Sequence, residues 1–404
     1  MKILTISSLY PNNRDPKHGI FVETRLKHLR KDYPQVSAVV IAPVPWFPFS
    51  NERFGEYSKF AGVVDSETRD GVEVYHPKYL VIPKLGMHLT PWLMARSIRK
   101  CIKRLIAEGH TFDLIDGHYF YPDGVAIAKV AAEFSIPFTC TARGTDINLI
   151  PQYPVARQRI LDVFAKAKHL MAVCKALAEE MIALGAPKSK VTVLRNGVDL
   201  ELFKASDDEQ KQQFRKQLPV PASGLLLLSV GWLIERKGHY LVIAALAELP
   251  DAQLVIAGNG PDLAALQQLA QKLGVSERVH FTGALAQNQL SQYYQAADAL
   301  ILASSREGWA NVLLEAMASG TAVVATNIWG TPEVVAAPEA GILVERTSKD
   351  IANGVRTLLA ALPNRASTRR YAEQFTWKQT SSGQFEIFSQ IIKTQSMNPN
   401  REAE

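Results

Sequence analysis

The chain predicts an α/β fold of two doubly wound domains in tandem, and three observations lead there. Short apolar runs that read as buried strands alternate with helix-forming segments along both halves, the pattern of parallel sheets with crossover helices. At 404 residues there is enough chain for two cores of ordinary size. A segment rich in charge and Gln, residues 204–221, closes on two prolines and separates the two rounds of alternation; it reads as a linker plus a surface helix.

In the first half, the strand Ile3–Ser7 leads into the loop Tyr10–Ile20 and a helix over Val22–Lys31. Strands follow at Ala38–Ala42, Val72–His76, Leu114–His118, Pro137–Thr141, His169–Val173 and Val191–Leu194. Helices fall at Trp92–Ala107, Gly124–Phe134, Ala156–Ala167 and Lys175–Ala183. The second half restarts with the continuous apolar strand Leu225–Val230, the loop Gly231–Gly238 and the helix His239–Glu248. Strands at Gln253–Ala257, Val279–Phe281, Ala299–Ala303 and Ala322–Thr326 then alternate with helices at Asp262–Leu273, Gln289–Ala296 and Asn311–Ala318. An aromatic, proline-broken loop (Trp46, Phe47, Pro48, Phe49, then Phe54, Tyr57 and Phe60) reads either as an acceptor or bilayer contact or as cover for the core.

Composition narrows the class. With 47% hydrophobic and 21% charged residues the chain is that of a globular protein outside the membrane. No apolar run reaches the ~18 residues of a span, and the start of the chain lacks a signal h-region. Three cysteines, Cys101, Cys140 and Cys174, in apolar or helical settings argue against a disulfide framework, so a cytosolic location is expected. Charge is uneven: residues 1–199 hold 27 Lys+Arg against 19 Asp+Glu, and residues 200–404 hold 18 against 20. A basic first half suits an anionic partner such as a membrane surface, a lipid phosphate or nucleic acid; an ordinary solvated surface is the plain alternative. Arg96, Arg99, Lys100, Lys103 and Arg104 form a basic helix face with the same two readings.

The chemistry concentrates in the second half. Glu307 and Glu315 frame a junction where a buried strand breaks at Gly308 and resumes as a helix that stops at Gly320. Backbone amides from Trp309 through Ala310 and Asn311 to Val312 open that helix and can donate to phosphate oxygens. Arg236 and Lys237, flanked by Gly231 and Gly238 after a buried strand, suit a diphosphate. Gly258-Asn259-Gly260 lacks the third glycine of a dinucleotide fingerprint, because Leu263 stands there, and reads as a tight turn. There is no Asp-x-Asp triplet for a nucleotide-bound metal, and neither Cys-x-x-Cys nor His-Glu-x-x-His for zinc.

Together these residues resemble the retaining glycosyltransferases of family 4, the group 1 glycosyltransferases, over nearly the whole chain. The best marker is the Glu-(seven residues)-Glu segment from Glu307 to Glu315. Arg236-Lys237-Gly238, Ala257 to Pro261, Val279 to Gly283, Asn196 to Asp199, and Glu333 after Gly330-Thr331-Pro332 support it. The resemblance implies the GT-B architecture, two Rossmann-like domains facing a central cleft. Residues 1–200 would form an acceptor-binding domain capped by a C-terminal helix at about 377–396, and residues 222–376 a nucleotide-sugar-binding domain. It implies that Lys237 and Arg236 bind the donor diphosphate, Glu315 the ribose and Glu307 the donor sugar. Gly231, Gly260, Gly308, Trp309, Ala310, Asn311, Val312 and Glu333 would line the donor pocket, and the His18-Gly19 loop would border acceptor and diphosphate.

Two departures stand out. Many members carry Gly-Arg-Leu where this chain has Gly231-Trp232-Leu233, and histidine before glycine where it has Arg143-Gly144-Thr145-Asp146. The latter pattern resembles the subgroup of teichuronic-acid and related surface-polysaccharide enzymes. Arg143 cannot act as a base, which leaves an electrostatic role toward phosphate or an acidic acceptor, with His118 as a second candidate. The expected activity is transfer from a nucleotide-diphosphate sugar, UDP favoured over GDP, to a glycan or polyprenyl-diphosphate-linked acceptor. No metal or other cofactor is expected, no nucleic acid partner, and peripheral contact with the anionic inner face of the plasma membrane. A sugar-nucleotide 2-epimerase and a non-catalytic sugar-nucleotide binder remain open.

Overall fold

The computed structural model describes residues 1–46, 60–81, 86–219 and 223–397, the side chains of residues 86 and 87 aside. The chain divides into two units. The first comprises Met1–Asn196 and the C-terminal segment from Trp377; the second is Gly197–Thr376.

The first unit runs β1 (Lys2–Ile6), α1 (Ile20–Asp32), β2 (Ser37–Ile41), β3 (Val44–Trp46), β4 (Ser66–Arg69), β5 (Val72–Tyr75), β6 (Lys78–Leu80), α2 (Gly86–Ala107) and β7 (Leu114–His118). It continues α3 (Val125–Glu133), β8 (Phe138–Ala142), α4 (Thr145–Asn148), α5 (Pro154–Lys166), β9 (His169–Ala172), α6 (Lys175–Leu184) and β10 (Val191–Val193). Its sheet has the order β10-β9-β8-β7-β1-β2-β5-β4, parallel except for β4 against β5, while β3 and β6 pair separately. The strand order reverses between β1 and β7, so the loops after these strands, Ser7–Gly19 and Tyr119–Gly124, flank the switch point where open α/β sheets take ligands.

The second unit runs α7 (Asp208–Gln217), β11 (Leu225–Val230), α8 (His239–Leu246), β12 (Ala252–Ala257), α9 (Leu263–Lys272), β13 (Val279–Gly283), α10 (Gln287–Ala296) and β14 (Ala299–Leu302). Then come α11 (Asn311–Ala318), β15 (Val323–Thr326), α12 (Thr331–Val334), β16 (Gly341–Val344), α13 (Ser348–Ala360) and α14 (Arg365–Ala372). The sheet is wholly parallel, ordered β13-β12-β11-β14-β15-β16, and reverses between β11 and β14. Central strands buried on both faces need near-continuous apolar runs, and Ala299–Leu302 and Leu225–Val230, broken only by Ser229, supply them.

The stretch read as a linker plus a surface helix contains that helix, α7. Asp207 and Gln210 form a capping box that starts α7, and Lys211 and Arg215 hold that helix to Asp298. The first unit is completed by α15 (Trp377–Ser396). It buries Trp377, Thr380, Ser381, Gln384, Ile387 and Phe388, a stripe at the helical period. Trp377 stacks on His28 at 5.2 Å and Phe385 on Tyr33 at 4.0 Å, which fixes α15 against α1.

The strands β3, β4, β6 and β16 have no counterpart in the sequence reading, since runs of three or four residues fall below the length at which alternation is legible. Of the aromatic loop, Phe47, Pro48, Phe49, Phe54 and Tyr57 lie outside the described residues; Trp46 is exposed at the end of β3. All three cysteines are free and buried. No helix among the described residues is long and apolar enough to cross a membrane.

Candidate active site

The second unit's switch point is built by two loops joined to each other. The chain leaves β11 at Gly231, makes a tight turn over Glu235–Lys237 and enters α8 through Gly238. Gly238 has φ of +70°, and a Cβ there would lie 2.1 Å from the Ala303 carbonyl oxygen. Only glycine lets this loop approach the end of β14 so closely. That approach lets the Ser305 amide donate to the Arg236 carbonyl at 2.8 Å and Arg236 Nη1 to the Arg306 carbonyl at 2.7 Å.

Glu307 lies at the centre of the junction. Its Oε1 accepts from Lys237 Nζ at 2.6 Å and from Ser304 Oγ at 2.7 Å, with Arg236 Nη1 at 3.6 Å. Burial pushes the Glu307 carboxyl up, but the charges of Lys237 and Arg236 and the two hydrogen bonds outweigh it and hold it below the usual carboxylate range. Lys237, Arg236, Glu307 and Ser304 thus form one cluster at the carboxyl ends of β11 and β14. Ser304 is the member that residue-type reasoning did not single out.

After Glu307 the chain passes through buried Gly308, Trp309 and Ala310 into α11, where Asn311 and Val312 form the first turn. Ala310 caps the helix without a side-chain hydrogen bond, and Trp309 packs on Phe375, centroids 6.0 Å apart. Glu315, partly buried in the second turn, accepts from the phenol of Tyr294 on α10 at 2.8 Å. Burial raises the Glu315 carboxyl to about 7, with the Tyr294 hydrogen bond opposing. Tyr294 is fully buried, and nothing in its local sequence marked it as the partner of Glu315.

Gly258 and Gly260 serve backbone packing. A Cβ on Gly258 would lie 1.8 Å from the Gly231 carbonyl oxygen, and one on Gly260 2.3 Å from that of Leu233. The turn after β12 therefore supports the Gly231 loop from behind. Trp232 is 41% exposed. Glu333 sits half-buried in α12, just after β15.

In the first unit, Arg143 and His118 meet at the ends of β8 and β7. Arg143 Nη2 lies 2.6 Å from His118 Nδ1, its Nη1 donates to Asn196 Oδ1 at 3.2 Å, and its guanidinium lies over Phe21. His118 Nε2 is 3.2 Å from Asp116 Oδ2. His118, the second candidate of the sequence reading, is 1% exposed, and both of its ring nitrogens are engaged by protein groups. Burial is the main cause that lowers it to about 4, and it lowers Arg143 to about 9, still a cation at neutral pH. The loop after β1 lies at the same switch point. His18 Nε2 contacts the Ser8 carbonyl at 3.0 Å, Gly19 (φ +62°) starts α1, and Ser8 donates to Asp123 from the loop after β7. Burial raises Asp123 to about 7.

Comparisons with known proteins agree on one family. The family model for glycosyl transferases group 1 matches residues 210–375, and that for Glycosyltransferase Family 4 matches residues 21–202. A Bacillus subtilis protein assigned as the teichuronic acid biosynthesis glycosyltransferase TuaC is 29% identical over 359 residues, 88% of each chain. The D-inositol 3-phosphate glycosyltransferase of Jonesia denitrificans is 30% identical over 315 residues, 71% of this chain and 74% of its own. Among solved structures, sucrose-phosphate synthase from Thermosynechococcus elongatus superposes with a TM-score of 0.79 at 19% identity, covering 98% of this chain and 100% of that one. HepE of Anabaena in complex with UDP-glucose does so at 0.71 and 22%, covering 98% and 99%. These neighbours share the GT-B fold of two Rossmann-like domains. The chain belongs to glycosyltransferase family 4, the group 1 glycosyltransferases, and is a glycosyltransferase.

Proposed function

We propose that the enzyme transfers a sugar, with retention of configuration, from a uridine diphosphate sugar to a glycan or polyprenyl-diphosphate-linked acceptor in surface-polysaccharide synthesis. The observation that carries this is the cluster of Lys237, Arg236, Ser304 and Glu307 beside the start of α11. Negative charge grows on the departing diphosphate as the glycosidic bond breaks. Cations and amides already oriented toward it bind the transition state more tightly than the ground state. Glu307, kept ionised by Lys237, takes sugar hydroxyls, and Glu315 takes the ribose. With its Oε1 already committed to two donors, Glu307 orients the sugar, and the new bond forms on the face the leaving diphosphate vacates. The name of TuaC supports the role in polysaccharide synthesis, and that of the UDP-glucose complex of HepE supports the donor class. Arg143 in the first unit meets an anionic group of the acceptor.

The test is a thermal-shift panel of UDP, GDP and their sugars, followed by turnover with labelled donors. A ligand at ~100 times its dissociation constant stabilises by ~2.7 kcal/mol, so UDP and UDP-sugars should give the largest shift and a transferred or slowly hydrolysed sugar, in EDTA as well as without it. A larger GDP shift would reassign the donor, an epimerised product would move the enzyme to another class, and an adduct trapped on Glu307 would replace same-face displacement with a covalent path.

We also propose that α2 meets anionic lipid. Met94, Ile98, Ile102 and Leu105 face the core, while Arg96, Lys100, Lys103 and Arg104 are exposed beside exposed Trp92 and Ile106. Arg99 and Lys103 share Glu133, at 2.5 and 3.5 Å, which tempers the field. The protein should float with phosphatidylglycerol vesicles and not with phosphatidylcholine; equal behaviour on both would retire the proposal.

A further inference from the structure

We infer that Asp116, His118 and Gln384 are positioning residues that hold Arg143 as a fixed cation, and that His118 exchanges no proton with substrate. The inference rests on the reading of Arg143 as an acceptor-side group.

The hydrogen-bond directions follow from chemistry. Arginine only donates and an ionised carboxylate only accepts. Arg143 Nη2 at 2.6 Å therefore requires an unprotonated His118 Nδ1, so the single imidazole proton sits on Nε2 and points to Asp116 Oδ2. The same Asp116 oxygen accepts from Gln384 Nε2 at 3.0 Å, and Thr139 Oγ1 reaches the other at 3.4 Å. Gln384 is itself oriented from its far end, where its Oε1 accepts from Arg25 Nε at 3.1 Å. Arg25 Nη1 goes on to the Leu194 carbonyl at 3.1 Å. Each hydrogen bond on the path from Arg25 Nε to Arg143 Nη2 thus runs in one direction, while the buried Arg143 Nε has no partner among the described residues.

The groups facing this chain close it off from solvent. Asp116 and His118 alternate onto one face of β7 opposite Thr139 and Thr141 of β8. Arg25 from α1 and Gln384 from α15 cover that face, and Arg25, Asp116, His118 and Gln384 are each 1–2% exposed. Burial would raise Asp116, but His118, Arg25 and Arg143 together keep it below the usual carboxylate range. Protonating His118 would set an N–H against the Arg143 N–H at 2.6 Å, so the ring stays neutral while the guanidinium carries the charge.

Buried polar groups are costly unless they are paired, and paired ones specify one geometry; here the Asp116, His118 and Gln384 side chains are all paired. The geometry specified here is that of Arg143, gripped at Nη2 by His118 and at Nη1 by Asn196, the residue where the chain leaves this unit. Gln384 lies on α15, the helix by which the chain returns to it. The C-terminal helix thus reaches the active-site arginine through two side chains, and shortening the chain before Gln384 removes the anchor.

The test compares His118→Asn, whose Oδ1 can still accept from Arg143, with His118→Leu, Gln384→Leu and Arg143→Ala in the full chain. Long-range 1H–15N spectra of histidine-labelled protein should show His118 as the neutral Nε2–H tautomer throughout the range between about pH 5 and 8 where histidine ordinarily titrates. An imidazolium or the other tautomer there would overturn the inference whatever the activity. In turnover, His118→Leu removes the acceptor that fixes Arg143 and should fall about 10²-fold, as misplacement of a catalytic group does, together with Arg143→Ala. Gln384→Leu, which acts two side chains further away, through Asp116, should fall in the same direction by less. His118→Asn should keep most of the rate and the wild-type pH profile. If His118 were a general base, the asparagine variant would lose the ~10²–10⁴ that such a base supplies, and the inference would fail. An Arg143→Ala enzyme equal to wild type would remove Arg143 from the site, and the functional part of the inference with it. Absence of turnover in the wild type would count against the proposed reaction alone, since the spectra decide the proton arrangement independently.

Discussion

Lys237→Ala should lower kcat by ~10²–10³, the usual cost of losing one preorganised donor at a developing negative charge. The loss should fall on kcat more than on KM, because the interaction strengthens as the diphosphate departs. The structure adds a second consequence. Lys237 is the closest cation to Glu307, which would keep only Ser304 and the more distant Arg236. The Glu307 carboxyl should therefore rise, and the acid limb of the pH–rate profile should move to higher pH. A circular-dichroism melt within a few degrees of wild type would show that the fold persists. Lys237→Arg should recover part of the rate, since it restores charge without the compact ammonium. Wild-type kcat in the alanine variant would remove Lys237 from leaving-group stabilisation.

Glu315→Gln should separate binding from stability. Burial raises Glu315 to about 7 against an ordinary value of 4.5, so the folded protein binds this proton more tightly than the unfolded chain. The stability this group contributes is fully present below about 4.5 and is lost as pH rises through about 7. Above that the free enzyme holds a partly buried carboxylate with one protein donor, Tyr294. Glutamine removes the charge, so the free variant should melt higher than wild type at pH 8 and close to it at pH 5. If the carboxylate receives ribose hydroxyls, the same variant should bind UDP about tenfold or more weakly at pH 8, as loss of a hydrogen bond to a charged group implies. The deficit should shrink at pH 6, where wild-type Glu315 is itself protonated. The diphosphate also titrates in this range, so the quantity to read is the wild-type to variant ratio measured calorimetrically at each pH. A ratio that does not change with pH would break the assignment of Glu315 to the ribose.

How much of this was legible in the chain depended on the distance over which each feature is encoded. Strand and helix periods are local, and the apolar run Leu225–Val230, broken only by Ser229, announced a central parallel strand. The eight-residue interval from Glu307 to Glu315 spans one loop and one helix, so family and donor-side residues could be proposed from it. Lys237 and Glu307, by contrast, are 70 residues apart, and their 2.6 Å contact exists because Gly238 lets the loop after β11 touch the end of β14. Tyr294 looked like any aromatic on a helix until burial set its phenol against Glu315. His118 stood as a second candidate because Arg143 cannot act as a base, and its burial was not visible in the sequence. The alternation of Asp116 and His118 on one strand was a clue that two polar groups share a buried face, but their partners Arg143 and Gln384 are distant in sequence.

The amino-acid sequence by itself determined the class of fold, the division into two α/β domains and the family. Those rest on residue type and spacing along one strand–loop–helix unit at a time. The tertiary structure decided which charges are paired, which carboxyl burial pushes up and which histidine is buried among protein partners. Desolvation and partner distance set those properties, and both appear only when segments far apart in the chain are packed together.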